Sequence, residues 1–302
     1  MKLSMFLLAI SLTFPSLAAA QIEESKAYRM AFSGFAYVPA ERPEALYACQ
    51  SKIMAGIKNP GVLNIAVAFG YSDLADEHFD LTTDAMTMDT VIFNMTNPCA
   101  YKGQGFCAFK LAEGKEHKVN RYTRELTTAG GKLTVNIYTI NSSYSNGNSD
   151  NTGKYKDLQN EQTRTARDFY GWALQNSDLV LYEGHSRDGG GPDFAPPRLN
   201  GSGTVDYPWY HANRPGLKFL LSALDLAQRK PLSLGLYSCA SRIHFLDSLE
   251  RHASDSKLIL STKVVEGGKT KAALLRTLES SLNFECDADL RARLSDTSFV
   301  IN

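Results

Sequence analysis

The rhythm of hydrophobic and polar positions changes near residue 130. Before it, short β-leaning runs over residues 28–38, 63–71, 90–95, 107–111 and 117–126 alternate with turn-rich stretches, and only 43–57 has a helical pattern. After it, strand and helix patterns alternate, as expected of a mainly parallel sheet covered on both faces. The pattern predicts a smaller, mainly-β N-terminal domain over 21–130 and an α/β domain over 131–302.

The second half can be followed element by element. A β-branched run at 133–140 reads as a strand, and the Ser/Asn/Gly-rich stretch 141–153 as a flexible, exposed loop. Ala166, Phe169, Tyr170, Ala173 and Leu174 recur at helical spacing, with Asn160 as N-cap. A buried strand over 179–183 leads directly to His185. Leu217, Leu220, Leu221 and Leu224 mark the next helix, Pro231 bounds it, and a strand over 232–237 carries Cys239. A helix at 243–253, a strand at 258–265 and a helix at 269–282 complete the series.

Residues 1–20 do not enter that pattern. Lys2 precedes an apolar stretch over 5–14, and Leu17-Ala18-Ala19-Ala20 offers a cleavage site before Gln21, so the segment reads as a secretory signal and the protein as exported, periplasmic or extracellular. No later run supplies the ~18 apolar residues of a membrane span. About 280 residues remain, enough for one large domain or two smaller ones. Lys plus Arg and Asp plus Glu each number 32. That balance argues against a nucleic-acid partner, which would need a basic excess.

Export makes the 5 cysteines informative, because an oxidising compartment pairs thiols and the count is odd. Cys99 and Cys107 flank a Gly-punctuated turn that favours a disulfide between them. Cys49 with Cys286 is then the remaining pair, leaving Cys239 as a thiol; the alternative joins Cys239 to Cys286. No two histidines have the spacing of a helical zinc site, and neither metal nor cofactor is expected.

The stretches LVLYEGHS, ending on His185 and Ser186, and LSLGLYSC, ending on Cys239, each run an apolar strand out onto a reactive residue. Strand, helix, strand and histidine, then helix, strand and cysteine: over 130–285 this order resembles the caspase-like cysteine peptidases, the superfamily of caspases, gingipains and legumains. The His-to-Cys spacing is close to the roughly 50 residues typical of caspases. The resemblance implies an α/β/α sandwich in which Cys239 is the nucleophile and His185 the general acid/base, with the Ser186 and Cys239 backbone amides steadying an oxyanion. Ser186 stands where that family has glycine, and the caspase pentapeptide is replaced by Tyr237-Ser238-Cys239-Ala240-Ser241.

In the loop after the histidine, three successive glycines, Gly189 to Gly191, permit close backbone approach around a pocket. Asp188, Asp193 or Asp206 would select a basic residue at the cleavage point, and Arg187 or Arg214 an acidic one. The bland reading of this stretch is an ordinary connection with solvated charges. His244 and His252 are expected at a solvated helix face or end, His78, His117 and His211 as isolated groups, and Trp172 and Trp209 as packing residues. Asn94, Asn141 and Asn200 begin glycosylation sequons of chance length.

The resulting expectation is an exported cysteine hydrolase, a peptidase acting on peptide or protein; oligomeric state is not assigned. One alternative is an inactive caspase-like binding protein of the envelope or exterior, favoured by the lost glycine. The other makes Ser186 the nucleophile of a serine hydrolase, because Gly184-His185-Ser186-Arg187-Asp188 nearly matches G-x-S-x-G; it fails at Asp188 and lacks the helix that should follow.

Overall fold

A computed structural model describes residues 43–73, 80–100, 104–114, 118–128 and 130–302. The signal segment, the run at 28–38, His78 and His117 lie outside these residues. In chain order the elements are α1 (Pro43–Gly56), β1 (Val62–Phe69), α2 (Asp84–Thr96), β2 (Lys110–Leu111), β3 (Asn120–Thr128) and β4 (Gly131–Asn141). Then come α3 (Asn148–Thr152), α4 (Lys156–Asn176), β5 (Leu179–Glu183), α5 (Tyr207–Asn213), α6 (Pro215–Leu226) and β6 (Ser233–Tyr237). The series ends with α7 (Ser241–His252), β7 (Lys257–Ser261), α8 (Gly267–Leu282), α9 (Asp287–Leu294) and β8 (Phe299–Ile301).

The strands make one sheet in the order β2-β3-β4-β1-β5-β6-β7-β8. The five central strands, β4 to β7 in that order, pair in parallel, and antiparallel strands close both edges. β5 (LVLYE) and β6 (SLGLY) are buried at every position, as strands covered on both faces must be. Side chains alternate between faces. Val180, Tyr182, Leu234 and Leu236 join one apolar cluster with Phe169, Tyr170 and Leu174 of α4, Leu217, Leu220 and Leu224 of α6 and Phe245 and Leu249 of α7. Tyr237 faces the other way, its hydroxyl donating to Thr277 Oγ1 of α8 at 2.6 Å. Each fully buried leucine here contributes about 2 kcal/mol of transfer free energy.

Four expectations change. The boundary near residue 130 falls inside a single sheet, because β1 pairs with β4 on one side (Ile65 with Ile137) and with β5 on the other (Ile65 with Leu179). Asn64-Ile65-Ala66-Val67-Ala68-Phe69 is a near-continuous apolar run, the signature of a central parallel strand rather than of a separate β domain. Residues 90–95 belong to helix α2: Asp84, Thr87, Val91 and Met95 are buried at helical spacing, and Thr87 and Thr90 donate to the carbonyls four residues back, which accommodates their β-branched chains.

The stretch 141–153 is not an exposed loop. The Ser142 and Ser143 amides and the Ser143 hydroxyl all donate to the buried Asp84 carboxylate at 2.6–2.9 Å, and α3 follows. α4 begins at Lys156, not after Asn160, because the Gln159 side chain bridges the Tyr144 amide and the Ser142 carbonyl and draws the first turn back. Both expected disulfides are present, Cys49–Cys286 and Cys99–Cys107, and Cys239 is free. Two disulfides fit an oxidising compartment. No helix among the described residues is long and apolar enough to cross a membrane.

Candidate active site

Among the parallel strands the chain begins at β1, moves out to β4 and then crosses to β5 on the opposite side. The direction of winding therefore reverses between β1 and β5, and the crevice beyond the carboxyl ends at such a point is where open α/β sheets bind ligands. β5 and β6 are neighbours there, with Glu183 level with Tyr237. Two residues further on, His185 and Cys239 line one cavity of about 410 Å³ together with Ser186, Asp188, Tyr207 and His244.

Local hydrogen bonding holds each reactive residue in place. At Cys239 the chain turns through Ala240, whose φ of 50° is left-handed, directly into α7. The Ala240 amide donates to the Lys263 carbonyl at 2.8 Å. Beneath the turn, Ser241 Oγ donates to the Leu236 carbonyl and Ser261 Oγ to the Ser238 carbonyl, a buried serine pair that leaves the turn little freedom. At His185, the buried Tyr182 hydroxyl lies 3.1 Å from the His185 carbonyl and accepts from the Asp193 amide at 2.9 Å. A Cβ at Gly70 would sit 2.2 Å from that hydroxyl, so a glycine at the end of β1 is what admits the tyrosine clamp.

The Cys239 sulfur is 3.7 Å from the Val265 carbonyl, so the thiol turns away from that acceptor when it engages a base. Among the described residues His185 Nε2 is buried without a hydrogen-bond partner, 3.9 Å from Asp73 Oδ1. Burial, with the Arg187 charge beside it and only partial opposition from Asp73, lowers the imidazole pKa to about 4. At neutral pH the ring is uncharged and able to accept a proton. Among the described residues, neither the Ser186 nor the Cys239 amide donates to any other group, so both are available to an anionic oxygen.

No family model, curated protein or solved structure matches this chain.

The loop from Arg187 to Phe194 brings Arg187 and Asp188 to the cavity lining, while Asp193, Asp206 and Arg214 lie outside it. Arg187 is 3 % exposed; its Nε donates to Asp193 Oδ2 at 3.1 Å and its guanidinium lies over the Tyr210 ring. Asp206 caps α5 through the Trp209 amide and pairs with Arg198. Arg214 binds the Gly189 and His244 carbonyls. None of these four presents a free charge to the cavity. Asp188 does: it is half exposed, at a φ of 51° immediately after Arg187 at 46°, two left-handed non-glycine residues in succession. The strain is held by the Gly190 amide on the Arg187 carbonyl and the Gly191 amide on the Ser186 carbonyl.

Ser186 is 5 % exposed and leads into this turn; no helix starts behind it until Tyr207. His244 differs from its expected solvated role, since it lines the cavity with Nε2 3.9 Å from Asp188. His211 flanks Asp188 from α5 at 3.6 Å. His252 contacts Asp225 at 2.6 Å, and Trp172 and Trp209 pack on aromatic neighbours as expected. Asp73 escaped sequence reading altogether. It sits just beyond β1, and recognising β1 as a central parallel strand would have pointed to it, because the ends of such strands line the crevice.

Proposed function

We propose that this protein is a cysteine hydrolase of peptidase type, caspase-like in layout, with Cys239 as nucleophile and His185 as general base and then acid. The observation that carries the reading is that the chain's one free thiol and an uncharged imidazole follow the ends of adjacent parallel strands and line one cavity. The order β4, α4, β5 with His185, then α6, β6 with Cys239, is the order the resemblance implies. In this scheme neutral His185 takes the thiol proton as the sulfur attacks the carbonyl carbon. The oxyanion meets the Ser186 and Cys239 amides near the positive end of the α7 dipole. The imidazolium then protonates the departing amine, and water hydrolyses the thioester with His185 again as base.

The test is cleavage of a mixed fluorogenic peptide library together with iodoacetamide labelling of Cys239 mapped by mass spectrometry. Cleavage should vanish in Cys239→Ala, and labelling should slow by at least about tenfold in His185→Ala. Cleavage surviving in Cys239→Ala, or equal labelling with and without His185, refutes the reading. A binding role is the second reading, supported by the serine at position 186 and by the thiol's contact with Val265; it requires library cleavage to be absent from the wild type.

A further inference from the structure

The same cavity has a chemical preference built into its wall, and this inference rests on the cysteine-hydrolase reading. Of the five charged residues that the sequence offers for selecting a substrate, Arg187 and Asp193 neutralise each other, Asp206 is engaged by Arg198, and Arg214 holds two carbonyls. Asp188 remains. Its carboxylate lines the cavity, half exposed, and among the described residues it meets no lysine or arginine, only the imidazoles of His211 and His244 at 3.6 and 3.9 Å. Burial keeps His244 uncharged at neutral pH, as it does His185. Arg187 also lines the cavity, but its guanidinium is buried against Asp193, so the exposed charge of the lining is the carboxylate of Asp188.

Tyr207, also in the lining, is 47 % exposed. A carboxylate and an exposed aromatic ring in one lining suit a planar cation that can fork onto the one and stack on the other. We infer that the cavity takes an arginine side chain of a peptide, in preference to lysine and against acidic or aliphatic residues, and that Asp188 is the residue that selects it. Asp188 holds its left-handed backbone without glycine, and asparagine tolerates that conformation equally well, so removing the charge alone is feasible.

The experiment compares peptidyl acyloxymethyl ketones that differ only in the terminal residue, Arg, Lys, Leu or Glu, by their second-order rate of labelling Cys239. The arginine probe should react at least about tenfold faster than the leucine probe, the scale of a charge-assisted hydrogen bond. In Asp188→Asn the ratio of the arginine rate to the leucine rate should collapse towards one, and Asp188→Glu should restore most of it. Labelling without charge preference, a preference for glutamate, or an arginine excess that survives Asp188→Asn overturns this inference alone. Failure of all four probes to label Cys239 overturns it together with the hydrolase reading.

Discussion

Glu183, the last residue of β5 and two positions before His185, is buried, and its carboxyl titrates far from its ordinary range. Burial raises the pKa from 4.5 to about 7, against a lowering by Lys271 and with a further small rise from Asp84. The displacement corresponds to roughly 3 kcal/mol of linkage between protonation and folding. The folded protein holds the proton up to about pH 7, whereas the unfolded chain releases it near 4.5. Between those values the native state binds more protons, so this contribution is fully present below pH 4.5 and is lost as pH rises through 7. Glu183→Gln replaces the carboxyl by an amide of the same shape and removes that dependence. Urea unfolding of both proteins, followed by tryptophan fluorescence at constant ionic strength from pH 4.5 to 8.5, should show the glutamine variant gaining roughly 3 kcal/mol on the wild type across the range. Parallel stability curves would refute the reasoning, because they would mean that Glu183 ionises on folding as a solvated carboxylate does.

Two further outcomes follow from the site and its loop. The uncharged His185 places the acidic limb of kcat/KM, or of Cys239 labelling, near pH 4, since the base is lost only below that value; a limb near 6.5 would show the imidazole to be solvated. Gly191 has a φ of 100°, and a Cβ there would lie 2.0 Å from the Leu217 amide nitrogen at the start of α6, so Gly191→Ala should lower stability by at least about 2 kcal/mol and Tm by about 5 °C. Gly201→Ala, where a Cβ meets nothing within 4 Å, is the control, and equal melting of the two variants would contradict the packing argument.

The candidate site residues were legible because their signals are local. An all-buried strand reads as a short apolar run, and the residues that follow it, His185 and Cys239, are reactive types. The Cys99–Cys107 disulfide was signalled by one tight turn, whereas Cys49–Cys286 was one of two pairings that the odd count left open. What escaped depends on partners distant in the chain. Nothing in β1 by itself says that it lies between β4 and β5, so residues 21–130 read as a separate half and Asp73 went unnoticed. The stretch 141–153 has the composition of a loop, and side chains outside it, the Asp84 carboxylate, Gln159 and Asp80, bind its backbone. Helix α2 was hidden by β-branched threonines whose hydroxyls bond back along the helix. The partition of charges in the glycine loop is equally non-local: Arg187 and Asp188 are adjacent in sequence, yet one is buried on Asp193 and the other left in the cavity.

The Cys49–Cys286 bond has a topological consequence. It joins residues 237 apart, from α1 to the residue capping α9, so β1 through α8 and every residue lining the cavity belong to one covalent ring. A single peptide-bond break inside that ring, for instance in the exposed turn Asn200–Thr204, opens the ring without dividing the molecule. Under denaturing conditions the cut protein would stay one covalent molecule until the disulfide was reduced and would then separate into two fragments. His185 would depart with the first and Cys239 with the second.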